Sequence, residues 1–283
     1  MESNLDEIEG YWTLRADGYS ETVLEQIEDG RYRHWLGIIE KHLPEGGSLR
    51  ILDVGCGPGF FPIILGREGH SVTAVDYTEA MLDQARENCA RYGVDAAFER
   101  MDAQHLDFDD DSFDVVISRN LVWDLESPRD AYREWLRVVR PGGKLMVFDG
   151  NHYLYIYDEE YAEVREGDTK VATEHDHMNG VDASIMERIA ENLPLSRERR
   201  PQWDVDNLIE MGAKNIVVDT DGRDSYRIQA GGEGMLMMKF QMTSYTSDIV
   251  IGYVPRVMEY ARTIRQRTAH PAMKSTLRTS VLW

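Results

Sequence analysis

Two cysteines, Cys56 and Cys89, stand in 283 residues, too few and too inward-facing in pattern for a disulfide framework. A reducing compartment fits, and the cytoplasm is the expected location. Basic residues are also scarce, since 31 Lys and Arg face 51 Asp and Glu for a net charge of −20. Binding to a phosphate backbone draws its affinity from Lys and Arg. Nucleic acid is therefore not an expected partner, although Arg197, Arg199 and Arg200 could form a local basic patch. No apolar run approaches the roughly 18 to 20 residues of a membrane helix. The opening MESNLDEIEG is acidic and no apolar stretch follows it, so neither a secretion signal nor a membrane association is expected. Internal repeats and low-complexity tracts are missing too. What is present is 42% hydrophobic and 10% aromatic residues, enough for one large core, or one core with an appended cap.

Trp35, Ile38, Ile39, His42 and Leu43 fall at helical spacing, and Pro44, Gly46 and Gly47 stop that helix. An apolar strand at 49–54 runs into Gly55. A helix at 60–67 follows, then a strand at 71–75 that ends on Asp76. Thr78 is placed to cap the next helix, whose stripe is Met81, Leu82, Ala85, Cys89 and Tyr92 before Gly93. Strands are expected at 96–101 and 113–118. Ser127-Pro128 starts a further helix, which Pro141-Gly142-Gly143 ends before a fifth strand at 144–148.

Strand and helix thus alternate five times in about 100 residues, which argues for a parallel sheet with helices on both faces. The stretch 150–200 breaks the alternation, being rich in Tyr, Glu and His with little period. A helix near 203–211 and strands near 215–219 and 234–243 resume it. The expected organisation is N-terminal helices at 1–47, a core at 48–149, an inserted cap at 150–205, completion of the sheet at 206–243 and an extension at 244–283 with a helix at 254–267.

The most specific signal is Asp53-Val54-Gly55-Cys56-Gly57-Pro58-Gly59 at the end of the first strand. Glycines at alternate positions allow a tight turn and let a ligand approach the backbone at the carboxyl edge of the sheet. A nicotinamide-type G-x-G-x-x-G would place its third glycine at position 60, which is Phe60. Asp76 ends the second strand, where an acidic side chain can accept hydrogen bonds from ribose hydroxyls.

The pattern resembles the class I S-adenosylmethionine-dependent methyltransferases over roughly residues 10–150. It rests on Tyr11-Trp12-x-x-Arg15 with Tyr19, the D-x-G-x-G-x-G loop, Asp76, Asp102-Ala103, Phe113-Asp114-Val115-Val116 and Leu136-x-x-Val139-Arg140-Pro141-Gly142-Gly143. The resemblance implies an α/β, Rossmann-like, seven-stranded and mostly parallel sheet whose last strand is antiparallel, with the cap inserted after strand five. It implies S-adenosylmethionine as cofactor, S-adenosylhomocysteine as product and a small-molecule methyl acceptor. Asp53 with Gly55, Gly57 and Gly59 would hold the methionine end, and Asp76 the ribose. Asp102 and Ala103 would meet the adenine, with Tyr77 and Met81 around the nucleoside. Arg15, Tyr11 and Tyr19 would cover the cofactor from the N-terminal helix. Arg119 and Asn120 would border the sulfonium.

Methyl transfer chiefly needs acceptor, methyl carbon and sulfur in line. A general base is called for only when the acceptor carries a proton at neutral pH. His152, three residues beyond Asp149, and the adjoining Tyr153 are the candidates for catalysis, and a surface histidine on an aromatic cap is the alternative for both. His152, His175 and His177 do not have a spacing that argues for a metal, so none is expected. Arsenite chemistry would need more thiols than Cys56 and Cys89 supply. Two alternative functions stay open: another nucleotide-cofactor enzyme on the same fold, and a non-catalytic S-adenosylmethionine-binding regulator.

Overall fold

In a computed structural model of the chain, residues 4–168, 177–213, 216–222, 235–241 and 248–252 are described. Two helices, α1 (Asn4–Glu28) and α2 (Tyr32–Glu40), precede the sheet. Then β1 (Arg50–Val54), α3 (Phe60–Arg67), β2 (Ser71–Asp76), α4 (Glu79–Arg91), β3 (Ala97–Arg100), β4 (Phe113–Arg119), α5 (Pro128–Val138) and β5 (Val139–Phe148) follow in turn. The five strands pair in the order β3-β2-β1-β4-β5, all parallel.

Burial explains why these strands read as continuous apolar runs. In β1 every residue after Arg50 is buried, as expected for a sheet covered on both faces. Side chains of period two divide between the faces. Leu52, Val54, Val116, Leu145 and Val147 pack with Tyr132 and Trp135 of α5. Ile51, Val115, Ile117, Met146 and Phe148 pack instead with α3 and with Trp35 of α2.

Three further strands, β6 (Ile216–Gly222), β7 (Met235–Gln241) and β8 (Asp248–Gly252), extend the sheet beyond β5 in the order β5-β8-β6-β7. β8 is parallel to β5 and β6, and β7 is antiparallel to β6 and β8. Among the described residues the sheet therefore has eight strands where seven were expected, and the antiparallel β7 precedes β8 in the chain. The source of the difference is Ile249-Val250-Ile251, a run too short to stand out in a segment expected to be an extension. Its backbone groups pair with β5, which would otherwise end the parallel sheet as an open edge. The helix expected at 254–267 lies outside the described residues.

Two local expectations also change. Thr78 and Ser127 occupy the N-cap positions of α4 and α5, but neither side chain makes a capping hydrogen bond. Pro141-Gly142-Gly143 does not end a helix. It lies inside β5, where a register shift against β4 between Phe113 and Val115 accommodates it.

The stretch expected to be aperiodic holds α6 (Glu159–Asp168) and α7 (Ser184–Ala190), with single 3₁₀ turns at Leu154–Ile156 and Pro194–Ser196, before α8 (Gln202–Glu210). α7 buries only Met186, Ile189 and Ala190, one helical repeat, which is too little to show as a period. Met186 and Ile189, with Leu193, meet Ile8, Tyr11 and Trp123 in a separate cluster, so this segment rests on α1 and on the turn after β4. Arg200 completes the anchorage. Fully buried, it lies 3.0 Å from Asp149 at the end of β5 and 2.7 Å from Asp204 of α8, and Asp204 accepts the Tyr132 hydroxyl at 2.6 Å.

Candidate functional site

The strand order reverses between β1 and β4, so their carboxyl ends diverge and leave a crevice. A cavity of about 100 Å³ sits there, walled by the loop after β1, the ends of β2 and β4, the segment after β3, and α1. The loop turns through left-handed backbone at Gly55 (φ +69°) and Gly57 (φ +49°), conformations that L side chains rarely adopt. A side chain at Gly55 would also strike Leu121, 2.7 Å away, and one at Gly57 would press on the Tyr19 ring.

Asp76 fixes this loop. Its two carboxylate oxygens accept the Gly57 and Thr78 backbone N–H groups, each at 2.9 Å. Burial pushes its acid up to about 6, and those N–H groups oppose the rise. Asp53, only 1% exposed, is also pushed up, first by burial and then by the Asp76 charge, with Arg119 acting the other way. Arg119, at the end of β4, lies over the rings of Trp35 (4.3 Å) and Phe60 (4.7 Å) and donates to Gln26 at 3.1 Å. Asn120 then turns the chain with φ +54°. Its backbone N–H donates to Phe148 at 2.8 Å.

The segment after β3 is held by α5. The Trp135 indole donates to the Ala103 carbonyl at 2.9 Å, and Gln104 accepts the Ser127 N–H at 2.5 Å. Asp102 Oδ1 accepts the backbone and side-chain N–H groups of Gln104. On the other side, Asn88 of α4 donates to Ser20 at 2.8 Å and to the Pro58 carbonyl at 3.0 Å, tying α1 and the glycine loop to one buried amide.

Of the expected binding residues, Tyr19, Asp53, Gly55, Gly57, Asp76, Tyr77, Met81, Asp102, Ala103, Arg119 and Asn120 line the cavity. Tyr11, Arg15 and Gly59 do not. Tyr11 packs in the cluster under the cap. Arg15 is buried and donates to the His177 carbonyl at 2.6 Å, so it holds the cap segment against α1. Gly59 (φ +91°) starts α3, and a Cβ there would lie 3.2 Å from the Ala85 Cα, which makes it a site of helix packing.

His152 and Tyr153 also stand apart from the cavity lining. Both rings pack on Trp123, at 5.0 and 5.2 Å, and His152 Nε2 is 3.5 Å from Asp149. His177 is 2.8 Å from Glu25 of α1, and His175 lies outside the described residues. The basic run does not form a patch. Arg200 is buried, Arg199 pairs with Asp158 at 2.6 Å, and Arg197 lies over Tyr157.

Sequence reasoning missed several lining residues, among them Trp12, Cys56, Gln104, Asp124 and Glu126. Trp12 and Cys56 stand within the motifs that carry the resemblance but were given no binding role. Asp124 and Glu126 precede the helix start at Ser127-Pro128, with no motif or spacing to mark them. Asp124 is 3% exposed, and its Oδ2 accepts the Trp12 indole N–H at 2.5 Å. Its Oδ1 is buried with no partner. Burial raises the Cys56 thiol well above its ordinary range, so it stays protonated and is a poor nucleophile.

Residues 52–147 match the family model of a methyltransferase domain. Malonyl-[acyl-carrier protein] O-methyltransferase of Erwinia pyrifoliae is 41% identical over 106 residues, 38% of this chain and 39% of that protein. Phosphatidylethanolamine N-methyltransferase of Cereibacter sphaeroides is 36% identical over 107 residues, 37% of this chain and 51% of that protein. The chain thus spans two-fifths to half of the length of these relatives. Among solved structures, the Haemonchus contortus phosphoethanolamine N-methyltransferase 2 in complex with S-adenosyl-L-methionine is 20% identical, covering 68% of this chain and 39% of that one with a TM-score of 0.47. The glycine loop, β2 with Asp76, β4 and all of β5 but Phe148 fall in the matched span, over which this chain is similar to methyltransferase domains.

Proposed function

We propose that this chain is a cytoplasmic enzyme that transfers the methyl group of S-adenosylmethionine to a small-molecule acceptor. The observation that carries the reading is one cavity bounded by the Gly55-x-Gly57 turn, Asp76 and Asp102 at the ends of successive parallel strands, within a methyltransferase domain. The residues suit the cofactor. Backbone in left-handed turns without Cβ atoms admits its methionine end beside Asp53 and Tyr19. Asp76 offers carboxylate oxygens to ribose hydroxyls. Asp102, whose Oδ2 has only a 3.4 Å approach from His105 Nδ1, offers an acceptor to an exocyclic amine, and the buried Met81 and Ala103 provide apolar contact.

When bound, the cofactor supplies an electrophilic methyl group on a positively charged sulfur. The chain's own part is to position and to exclude water. Trp12, held by Asp124, closes the wall over the β4 end. α1 is pinned there by Asn88–Ser20 and by the Arg100–Glu9 pair at 2.7 Å. Segment 150–205 acts as the acceptor-specificity cap, a reading supported by the packing of Tyr153, Met186, Ile189 and Leu193 with Trp123, the residue before the cavity-lining Asp124.

S-adenosylhomocysteine is expected to raise the melting temperature and NADH to leave it unchanged. At a ligand concentration 100 times Kd the stabilisation is about 2.7 kcal/mol. Equal stabilisation by NADH would reject this function.

A further inference from the structure

We propose that the methyl acceptor of this site is an amine, docked through its ammonium group on the Asp124 carboxylate. This rests on the cofactor reading above and adds the acceptor's chemistry.

Asp124 lies on the 3₁₀ turn Val122–Asp124, five residues beyond the end of β4. It lines the cavity, yet it is almost fully enclosed. One oxygen takes the Trp12 indole N–H, and the other takes nothing. A buried carboxylate oxygen without a donor is costly, by more than a typical hydrogen bond gains, so a ligand donor at this point is strongly favoured.

Charge selects which donor. Asp53, Asp76, Asp102, Asp124 and Glu126 line the cavity, and among the described residues Arg119 is its one cationic lining residue. That guanidinium is engaged by two aromatic faces and by Gln26. A carboxylate or phenolate acceptor would add negative charge to this wall. A hydroxyl would supply a donor but no compensating charge, whereas an ammonium supplies both. The neighbouring Asp149 does not compete for it, being paired with Arg200. Burial, with the Asp149 and Asp76 charges, raises the Asp124 acid well above its usual range, as expected of a carboxylate that lacks a counter-cation.

The step balances simply. The ammonium passes one proton to the Asp124 carboxylate, and the freed nitrogen lone pair forms the N–C bond to the methyl carbon. The C–S bond breaks with its electron pair on sulfur, leaving a thioether. The product departs as a methylated ammonium, and Asp124 returns its proton to solvent.

The test is calorimetric titration of the protein saturated with S-adenosylhomocysteine, using benzylammonium, benzyl alcohol and benzoate, which are similar in size and differ in charge. Benzylammonium is expected to bind at least about tenfold more tightly than the alcohol, and benzoate more weakly than either. Asp124→Asn should abolish the preference, and Asp124→Glu should retain part of it. Equal affinity for ammonium and alcohol, no ammonium binding, or a preference that survives Asp124→Asn overturns the proposal. Should Asp124→Asn not fold, the charge series on the unaltered protein decides alone. Failure of S-adenosylhomocysteine itself to bind would reject the cofactor reading instead, so the two failures are distinct.

Discussion

Asp76 shows how one residue can set stability against function. Its carboxyl is raised in the fold to about 6, so the folded protein holds that proton more tightly than the unfolded chain does. The resulting contribution to stability is fully present below the unfolded carboxylate range and is lost as pH rises through about 6. Ligand binding has the opposite sign, because ribose hydroxyls need the ionised acceptor. Affinity for S-adenosylhomocysteine is therefore expected to fall by about tenfold between pH 7 and pH 5, and calorimetry across that range measures it. Asp76→Ala should weaken binding by about 1.5 to 3 kcal/mol at pH 7.5 and flatten the pH dependence. An unchanged dissociation constant would make Asp76 a loop-fixing residue only, through Gly57 and Thr78. Its position was legible because a strand-end acid after a glycine loop has few other uses. Asp124 was not legible, since only the fold brings Trp12 of α1 against it across 112 residues of sequence.

At the scale of elements, one buried cation, Arg200, joins the end of β5 to α8 through Asp149 and Asp204. Burial alone would raise the Asp149 acid, but Arg200 and then His152 hold it below the ordinary carboxylate range. Its contribution is present above the unfolded pKa and is lost as pH falls through the folded one. Removing Arg200 leaves Asp149 and Asp204 buried without their partner, and breaking such a group costs about 3 to 5 kcal/mol. Arg200→Met is accordingly expected to lower the unfolding free energy by that amount in urea titrations, with a smaller loss in Asp149→Asn/Arg200→Met. A loss under about 1 kcal/mol would show that apolar packing of α7 on Tyr11 and Trp123 carries the cap by itself. The sequence marked this stretch only by the failure of period. It did not signal α7, which is only seven residues long, whereas α8 (Gln202–Glu210) falls where a helix near 203–211 was expected.

Over the whole molecule the charge of −20 is not relieved by any cluster formed from Arg197, Arg199 and Arg200, whose charges pair with acids or pack on tyrosine. Among the described residues no helix is long and apolar enough to cross a membrane. Duplex DNA and transfer RNA are expected to bind more weakly than about 10⁻⁴ M at near-physiological salt, the weak end of non-specific association. Gel-shift titration checks this, and a submicromolar complex that dissociates with salt would contradict it.

The sequence by itself determined the parallel core, the glycine loop at its edge, and the strand-end acids. Each of these is encoded locally, by a period of two or 3.6 residues, by glycine where φ must be positive, or by a side chain adjoining a strand end. Tertiary structure decided what depends on contacts between distant segments. It turned Arg15 and Tyr11 towards the cap, placed His152 on Trp123 and Asp149, added β8 to the sheet, and enclosed Asp124 beneath Trp12. The physical reason is that burial and charge pairing are properties of neighbours in space, and the chain order of those neighbours carries no period.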